Sequence, residues 1–98
     1  MSQAGGEGAV VPRGRKLAIK RGFRFQWEPA QDAFVLLYPE GMVKLGQSAG
    51  EILKRVDGAS TAEQIVDGLK QQFPGADLEG DVYAFLDHAW GKGWLAAE

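Results

Sequence analysis

Residues 38–53, YPEGMVKLGQSAGEIL, contain a tight turn, a short strand and the start of a helix. Pro39 and Gly41 occupy the second and fourth positions of the segment YPEG, which is the residue pattern of a type I turn. The turn leads into MVKL, residues 42–45, which we interpret as a short strand. None of these side chains belongs to a recognisable catalytic motif, so the pattern predicts a structural segment rather than an active site.

Two further strands are predicted before this turn. In FRFQW, residues 23–27, aromatic and polar residues alternate strictly, which is typical of a half-buried strand. AFVLLY, residues 33–38, is a continuous apolar run that suits a central strand. Three strands joined in sequence by short turns predict an antiparallel β-meander, in which residues 42–45 lie at an edge.

Three helices are predicted to follow the meander. The first begins either at Gly46 or at a capping box of Ser48 and Glu51. The second has a capping box of Ser60 and Glu63. The first helix is predicted to end at Asp57-Gly58, and the second before Pro74. The third is predicted from near Asp77 to Gly91, and a short extended tail follows at Trp94-Leu95. The predicted fold class is therefore α+β and winged-helix-like: a three-stranded antiparallel β-meander, three α-helices and a C-terminal extended tail.

The composition is that of a single domain. The chain has 98 residues, no cysteine and a net charge of −2. Without cysteine there are no disulfides and no thiolate metal ligands, which fits a reducing compartment. Since neither a membrane-spanning run nor a signal-peptide pattern is found, we expect no membrane association and a cytoplasmic location.

The charges are divided unevenly along the chain. Residues 1–21 carry five basic residues and one acid, a net +4, whereas residues 22–98 are net −6. We interpret residues 1–20, which are rich in glycine and show no stable period, as a flexible basic arm. The folded domain is then expected over residues 21–98. Both a monomer and an arm-exchanged homodimer are compatible with this organisation.

Catalytic and metal-binding groups are not predicted. His88 is the only histidine, and we expect it to be a partly exposed helix residue rather than a ligand or a base. The acids of the third helix, Asp77, Glu79, Asp81 and Asp87, are better explained as a solvated face with favourable helix-dipole contacts. We therefore predict that the chain is not an enzyme and holds no cofactor or metal.

Two classes of binding function remain, and the third helix separates them. A winged-helix DNA-binding regulator needs a basic recognition helix, but this one carries acids and no Lys or Arg before Lys92. Protein recognition needs an open strand edge, which residues 42–45 offer. Tyr83, Asp87 and Trp90 form a second line on the third helix, and they either bind a partner or pack against the fold.

The sequence resembles the PqqD family of pyrroloquinoline quinone (PQQ) biosynthesis from about Leu17 to Leu95. The resemblance rests on three segments, the first of which is the most specific. They are GFRFQWEPAQDAFVLLYPEGMVKLGQSAGEILKRVDG, TAEQIVDGLKQQFPG and DVYAFLDHAWGKGWL. Gly46 departs from the Asn expected in many relatives, which weakens the first helix cap.

The resemblance implies a peptide chaperone that contains no cofactor. PqqD-like domains bind the ribosomal precursor peptide PqqA and present it to PqqE, a radical S-adenosylmethionine enzyme. Such recognition elements bind the peptide as an added strand along the third strand and against the third helix. Carried over by position, this implies strand contacts at Met42, Val43, Lys44 and Leu45, and helix contacts at Tyr83, Asp87 and Trp90.

Overall fold

The residues that the computed structural model describes, 10–98, form six strands and three helices. The strands are β1 (Lys16–Ile19), β2 (Arg24–Glu28), β3 (Ala33–Tyr38), β4 (Gly41–Lys44), β5 (Asp57–Thr61) and β6 (Leu95–Ala97), and the helices are α1 (Gln47–Leu53), α2 (Ala62–Gln72) and α3 (Glu79–Gly91). Among these helices, none combines the length and apolarity that a membrane crossing requires. The predicted α+β, winged-helix-like class is confirmed.

The predicted meander is present as an antiparallel sheet with the order β2-β3-β4. Trp27 pairs with Phe34 between β2 and β3, and Tyr38 pairs with Gly41 between β3 and β4. The second pairing leaves Pro39 and Glu40 as a two-residue hairpin loop, with Pro39 at the second position of the turn and Gly41 at the fourth. β4 is therefore an edge strand, as the sequence predicts.

A second antiparallel sheet has the order β5-β1-β6. Its strand β1 lies within residues 1–20, where the sequence predicts a flexible arm. Residues 16–19 form its central strand, and the Leu17 side chain is fully buried in the core. These four residues gain a neighbour on both sides, so they are ordered by long-range pairing that local sequence does not reveal. Residues 1–9 lie outside the described part of the chain, and with them the start of the expected arm.

The outer strands of this sheet, β5 and β6, lie where the sequence predicts a helix end and an extended tail. β6 extends the expected tail at Trp94-Leu95 and pairs Leu95 with Ile19. β5 begins where the sequence predicts only the end of the first helix. Gly58 of β5 has a φ of +82°, a left-handed conformation that glycine adopts without strain, and it lies where the register with β1 shifts between Leu17 and Ala18.

The first helix uses Gly46, one of its two predicted caps, whereas the second uses a different cap from the predicted one. Gly46, rather than Ser48, is the N-cap of α1, and it makes no side-chain hydrogen bond. The capping box of α2 is formed by Thr61 and Gln64, one residue later than the predicted pair. In this box the Gln64 N–H donates to Thr61 Oγ1 at 3.2 Å and the Thr61 N–H donates to Gln64 Oε1 at 2.8 Å.

One hydrophobic core joins both sheets to all three helices. Its largest fully buried side chains come from different elements: Leu17 from β1, Leu36 from β3, Leu53 from α1, Ile65 from α2 and Leu86 from α3. Each of these five elements therefore contributes an apolar face to the same core, which fixes the helices against the meander. The edge of β4 and the flanks of α3 remain on the surface of this frame.

Candidate functional site

The outer edge of β4 presents unpaired backbone groups at alternate residues. The Leu45 N–H donates to the Phe34 carbonyl oxygen at 2.9 Å, so Leu45 belongs to the set of residues that bond to β3. Because backbone groups alternate along an antiparallel strand, Val43 belongs to the same set. The N–H and C=O groups of Met42 and Lys44 therefore point away from β3, on the side where the sheet ends.

The side chains of this segment divide in the same alternating way. Leu45 is buried in the core and Val43 packs against it, whereas Met42 and Lys44 are exposed. Met42 is 44 % exposed, which is high for a large apolar side chain. Val43 and Leu45 thus anchor the strand, while Met42 and Lys44 offer both a free backbone edge and accessible side chains.

A mainly apolar groove opens directly after this strand. It has a volume of about 640 Å³ and runs between α1 and α3. Its lining includes Gln47 and Ser48, the first residues of α1, which is separated from β4 by two residues. The apolar side chains that line it come from all three helices and the α2–α3 connection: Ala49, Ile52, Leu69, Phe73, Ala76, Leu78, Val82 and Phe85.

Two phenylalanines of this groove were missed as site residues by the sequence reasoning. Helical periodicity puts Phe85 in the apolar stripe of the third helix, but this side chain is half-buried and lines the groove, with its ring centroid 6.4 Å from that of Trp94. Phe73 lies at the C-terminal end of α2 and is 39 % exposed. The sequence feature that could have identified Phe85 as a groove residue is its position at the border of the apolar stripe of α3.

The sequence-predicted helix residues lie on the other flank of α3. Tyr83, Asp87 and Trp90 have the spacing of one helix face, which lies across the buried stripe from the face of Phe85. The side chain of Trp90 is half-buried against the core. The structure therefore brings these three residues together, but it does not place them in the α1–α3 groove.

Residues 11–15, which we call the strap, cover part of this second flank. The Val11 N–H donates to Asp87 Oδ1 at 2.9 Å, and the Val11 side chain is fully buried. The Arg13 guanidinium lies 3.8 Å from the centre of the Tyr83 ring, a cation–π contact. Tyr83 and Asp87 thus have partners within the chain.

The strap is also attached to α2 and to β6. The Gly14 N–H donates to Glu63 Oε1 at 3.3 Å, and the Arg15 Nε donates to the Glu98 carbonyl oxygen at 2.6 Å. The pKa of Glu63 is lowered, first by a hydrogen bond to its own backbone and further by the Gly14 N–H and the Arg13 charge. These contacts favour the ionised form of Glu63.

The described residues offer little for catalysis. His88 is exposed on α3, and its ring meets the Trp94 ring edge-on, with 5.6 Å between the centroids. Within residues 10–98, no three His, Asp or Glu side chains are grouped as metal ligands would be. A free strand edge that leads into an apolar groove is instead the arrangement that accepts an extended peptide.

Comparison with known proteins agrees with this geometry. The family model described as "Coenzyme PQQ synthesis protein D (PqqD)" matches residues 33–95, which is more than half of the chain. A PqqA binding protein from Pseudomonas aeruginosa is 55 % identical over 78 residues, covering 79 % of this chain and 85 % of the relative. A PqqA binding protein from Azotobacter vinelandii is 54 % identical over the same length.

Two solved structures share the fold. One is the solution structure of the PqqD part of PqqCD from Methylobacterium extorquens, described as a functional, stand-alone RiPP recognition element; it superposes with a TM-score of 0.67 at 27 % identity and covers 96 % of this chain and 95 % of that one. The other, the heterocyclase TruD, superposes with a TM-score of 0.66 at 28 % identity, over 86 % of this chain and 12 % of that one. With the family model and relatives that are more than half identical, these likenesses establish that the chain belongs to the PqqD family of coenzyme PQQ synthesis proteins.

Proposed function

We propose that the chain binds the ribosomal precursor peptide PqqA and presents it to the radical S-adenosylmethionine enzyme PqqE in PQQ biosynthesis. Membership of the PqqD family supports the peptide as the ligand, because its curated relatives are named for binding PqqA. In this role the chain is a carrier in the cytoplasm, and it needs no catalytic group or cofactor of its own.

The observation that carries the proposal is the free outer edge of β4. The peptide adds there as a further strand, and its backbone pairs with the outward N–H and C=O groups of Met42 and Lys44. Val43 and Leu45 keep β4 fixed to β3 and to the core while the peptide binds. Main-chain pairing supplies affinity in this mode, and side-chain pockets supply specificity.

The α1–α3 groove supplies the pocket in this proposal. Apolar side chains of the peptide lie against Phe85 and Val82 on α3 and against Ala49 on α1, and they bury the surface that the free chain exposes. Direct contact of the peptide with Tyr83, Asp87 and Trp90 stays a prediction. Such contact with Tyr83 or Asp87 competes with the strap, because Arg13 and Val11 occupy these side chains in the free chain.

Amide hydrogen exchange tests where the peptide adds. We expect PqqA to slow exchange at Met42 and Lys44, whose N–H groups face outward, and to leave Val43 and Leu45 nearly unchanged, because their N–H groups already bond to β3. The other edge strand of the same sheet, β2, is the internal control. Slowed exchange on β2 with unchanged exchange at Met42 and Lys44 would contradict the proposal.

A further inference from the structure

The strap holds α3 from the side that faces away from the groove. Its anchors are the hydrogen bond from the Val11 N–H to Asp87 Oδ1, the burial of the Val11 side chain, and the contact of Arg13 with the Tyr83 ring. Both α3 anchors, Tyr83 and Asp87, are one helical turn apart. The strap therefore contacts α3 near the middle of the helix rather than at one end.

The opposite flank of α3 faces the open groove. Phe85, which lies between the two anchor residues in sequence, points about 160–200° around the helix from them. On this side a groove of about 640 Å³ lies between α1 and α3, so the outer surfaces of the two helices do not pack directly against each other. Val82, Leu86 and Ala89 hold the buried face of α3 in the core, and the strap adds contacts on the flank opposite the groove.

We propose that the strap sets the width of the peptide groove, and that Asp87 is the positioning residue through which it does so. This inference rests on the proposed function, since it concerns the same peptide site. In this role Asp87 acts through the strap and needs no contact of its own with the peptide. It accepts the Val11 N–H, holds α3 against the strap, and keeps Phe85 at the position from which it contacts a strand added to β4.

The physical reason is preorganisation. A site whose walls are already at the binding distance loses little conformational entropy when the ligand arrives, whereas a mobile wall has to be ordered during binding. Removing the carboxylate leaves the Val11 N–H without its acceptor and frees one anchor of α3. The affinity for the peptide then falls, although no peptide contact has been removed.

The direct test is a double-mutant cycle in the full chain, with PqqA affinity as the readout. Val11→Pro removes the N–H donor while keeping an apolar side chain, and Asp87→Ala removes the acceptor. We expect each variant to weaken PqqA binding about tenfold, or ~1.4 kcal/mol. We expect the double variant to bind no more weakly than either single one, because both remove the same hydrogen bond.

Two control variants separate positioning from charge and from stability. Asp87→Asn keeps a carbonyl oxygen that can accept the Val11 N–H, so we expect it to bind within about twofold of the parent. Asp67→Ala removes an exposed acid of α2 and should leave affinity unchanged. Melting curves confirm that each titration is made on folded chain. If Val11→Pro does not fold, Arg13→Ala, which removes the contact of the strap with the Tyr83 ring, is titrated instead and is also expected to weaken PqqA binding.

Three outcomes would overturn the inference. If Asp87→Ala weakens PqqA binding equally in the parent and in Val11→Pro, and Asp87→Asn also binds PqqA weakly, Asp87 contacts the peptide directly. If Val11→Pro strengthens binding, the strap competes with the peptide. If both variants lower only the melting temperature, the strap is structural. Failure of the proposed function is distinguishable from all three, because it shows as unchanged exchange at Met42 and Lys44.

Discussion

Gly50 is a residue of α1 that lies directly against Phe34 of β3. A Cβ atom there would lie 2.8 Å from Cδ2 and 3.3 Å from Cβ of Phe34. The Phe34 ring has little freedom to move away, because it stacks on Phe25 at 4.8 Å between centroids and meets Trp27 edge-on at 5.1 Å. This contact sets how closely the helix that follows β4 packs on the meander.

We expect Gly50→Ala to destabilise the fold by about 1 kcal/mol. Overpacking costs about 1–3 kcal/mol, which exceeds the gain of about 1 kcal/mol that alanine usually brings to a helix. Gly80 is the matched control, since it lies in the first turn of α3 with nothing within 4 Å of an added Cβ. Gly80→Ala should raise the denaturation midpoint; an equal rise for Gly50→Ala would contradict the packing argument.

Residue by residue, the strand half of the site was easier to predict than the helix half. Turn chemistry and pattern located Met42 to Leu45, but the direction of each backbone group depends on the register with β3. The position of Phe85 in the groove could not be predicted, because helical periodicity identifies a buried side of a helix and not the neighbour that covers it. Tyr83 and Asp87 contact strap residues that are 70 and 76 positions away in sequence.

At the scale of elements, the ones predicted correctly are those with a strong local pattern. β2 alternates, β3 is continuously apolar, and the helices carry apolar stripes. β1, β5 and β6 have three to five residues each, and the polar segment DGAST of β5 has no strand pattern of its own. They are strands because they pair with one another, and such tertiary pairing overrides weak local preference.

The capping box of α2 gives a prediction at this scale. Thr61→Ala removes the oxygen that accepts the Gln64 N–H, and we expect it to lower the free energy of unfolding by about 1 kcal/mol. Ser60→Ala changes the residue that the sequence pattern favours as the cap, and its cost should be clearly smaller. Chemical denaturation of both variants decides between the two positions; a larger loss for Ser60→Ala would mean that α2 begins one residue earlier.

For the whole molecule, the distribution of charge favours a peptide over a nucleic acid. The first turn of α3 contains Glu79 and Asp81, and Asp87 follows two turns later, so this helix would repel the phosphates of a DNA groove. The basic residues of the strap are directed to partners in the same chain, including Tyr83 and the carbonyl oxygen of Glu98. Exchange of this segment between two copies remains a prediction.

The central claim is that a peptide adds to the outer edge of β4, and two proline variants test it most directly. Lys44→Pro removes an outward N–H, so the fold should melt near the parent temperature while PqqA binds about twofold to tenfold more weakly. Lys44→Ala controls for the lost side chain. Val43→Pro removes a bond to β3 and should melt at a clearly lower temperature. If Lys44→Pro folds well and binds PqqA as tightly as Lys44→Ala, the peptide does not pair with β4.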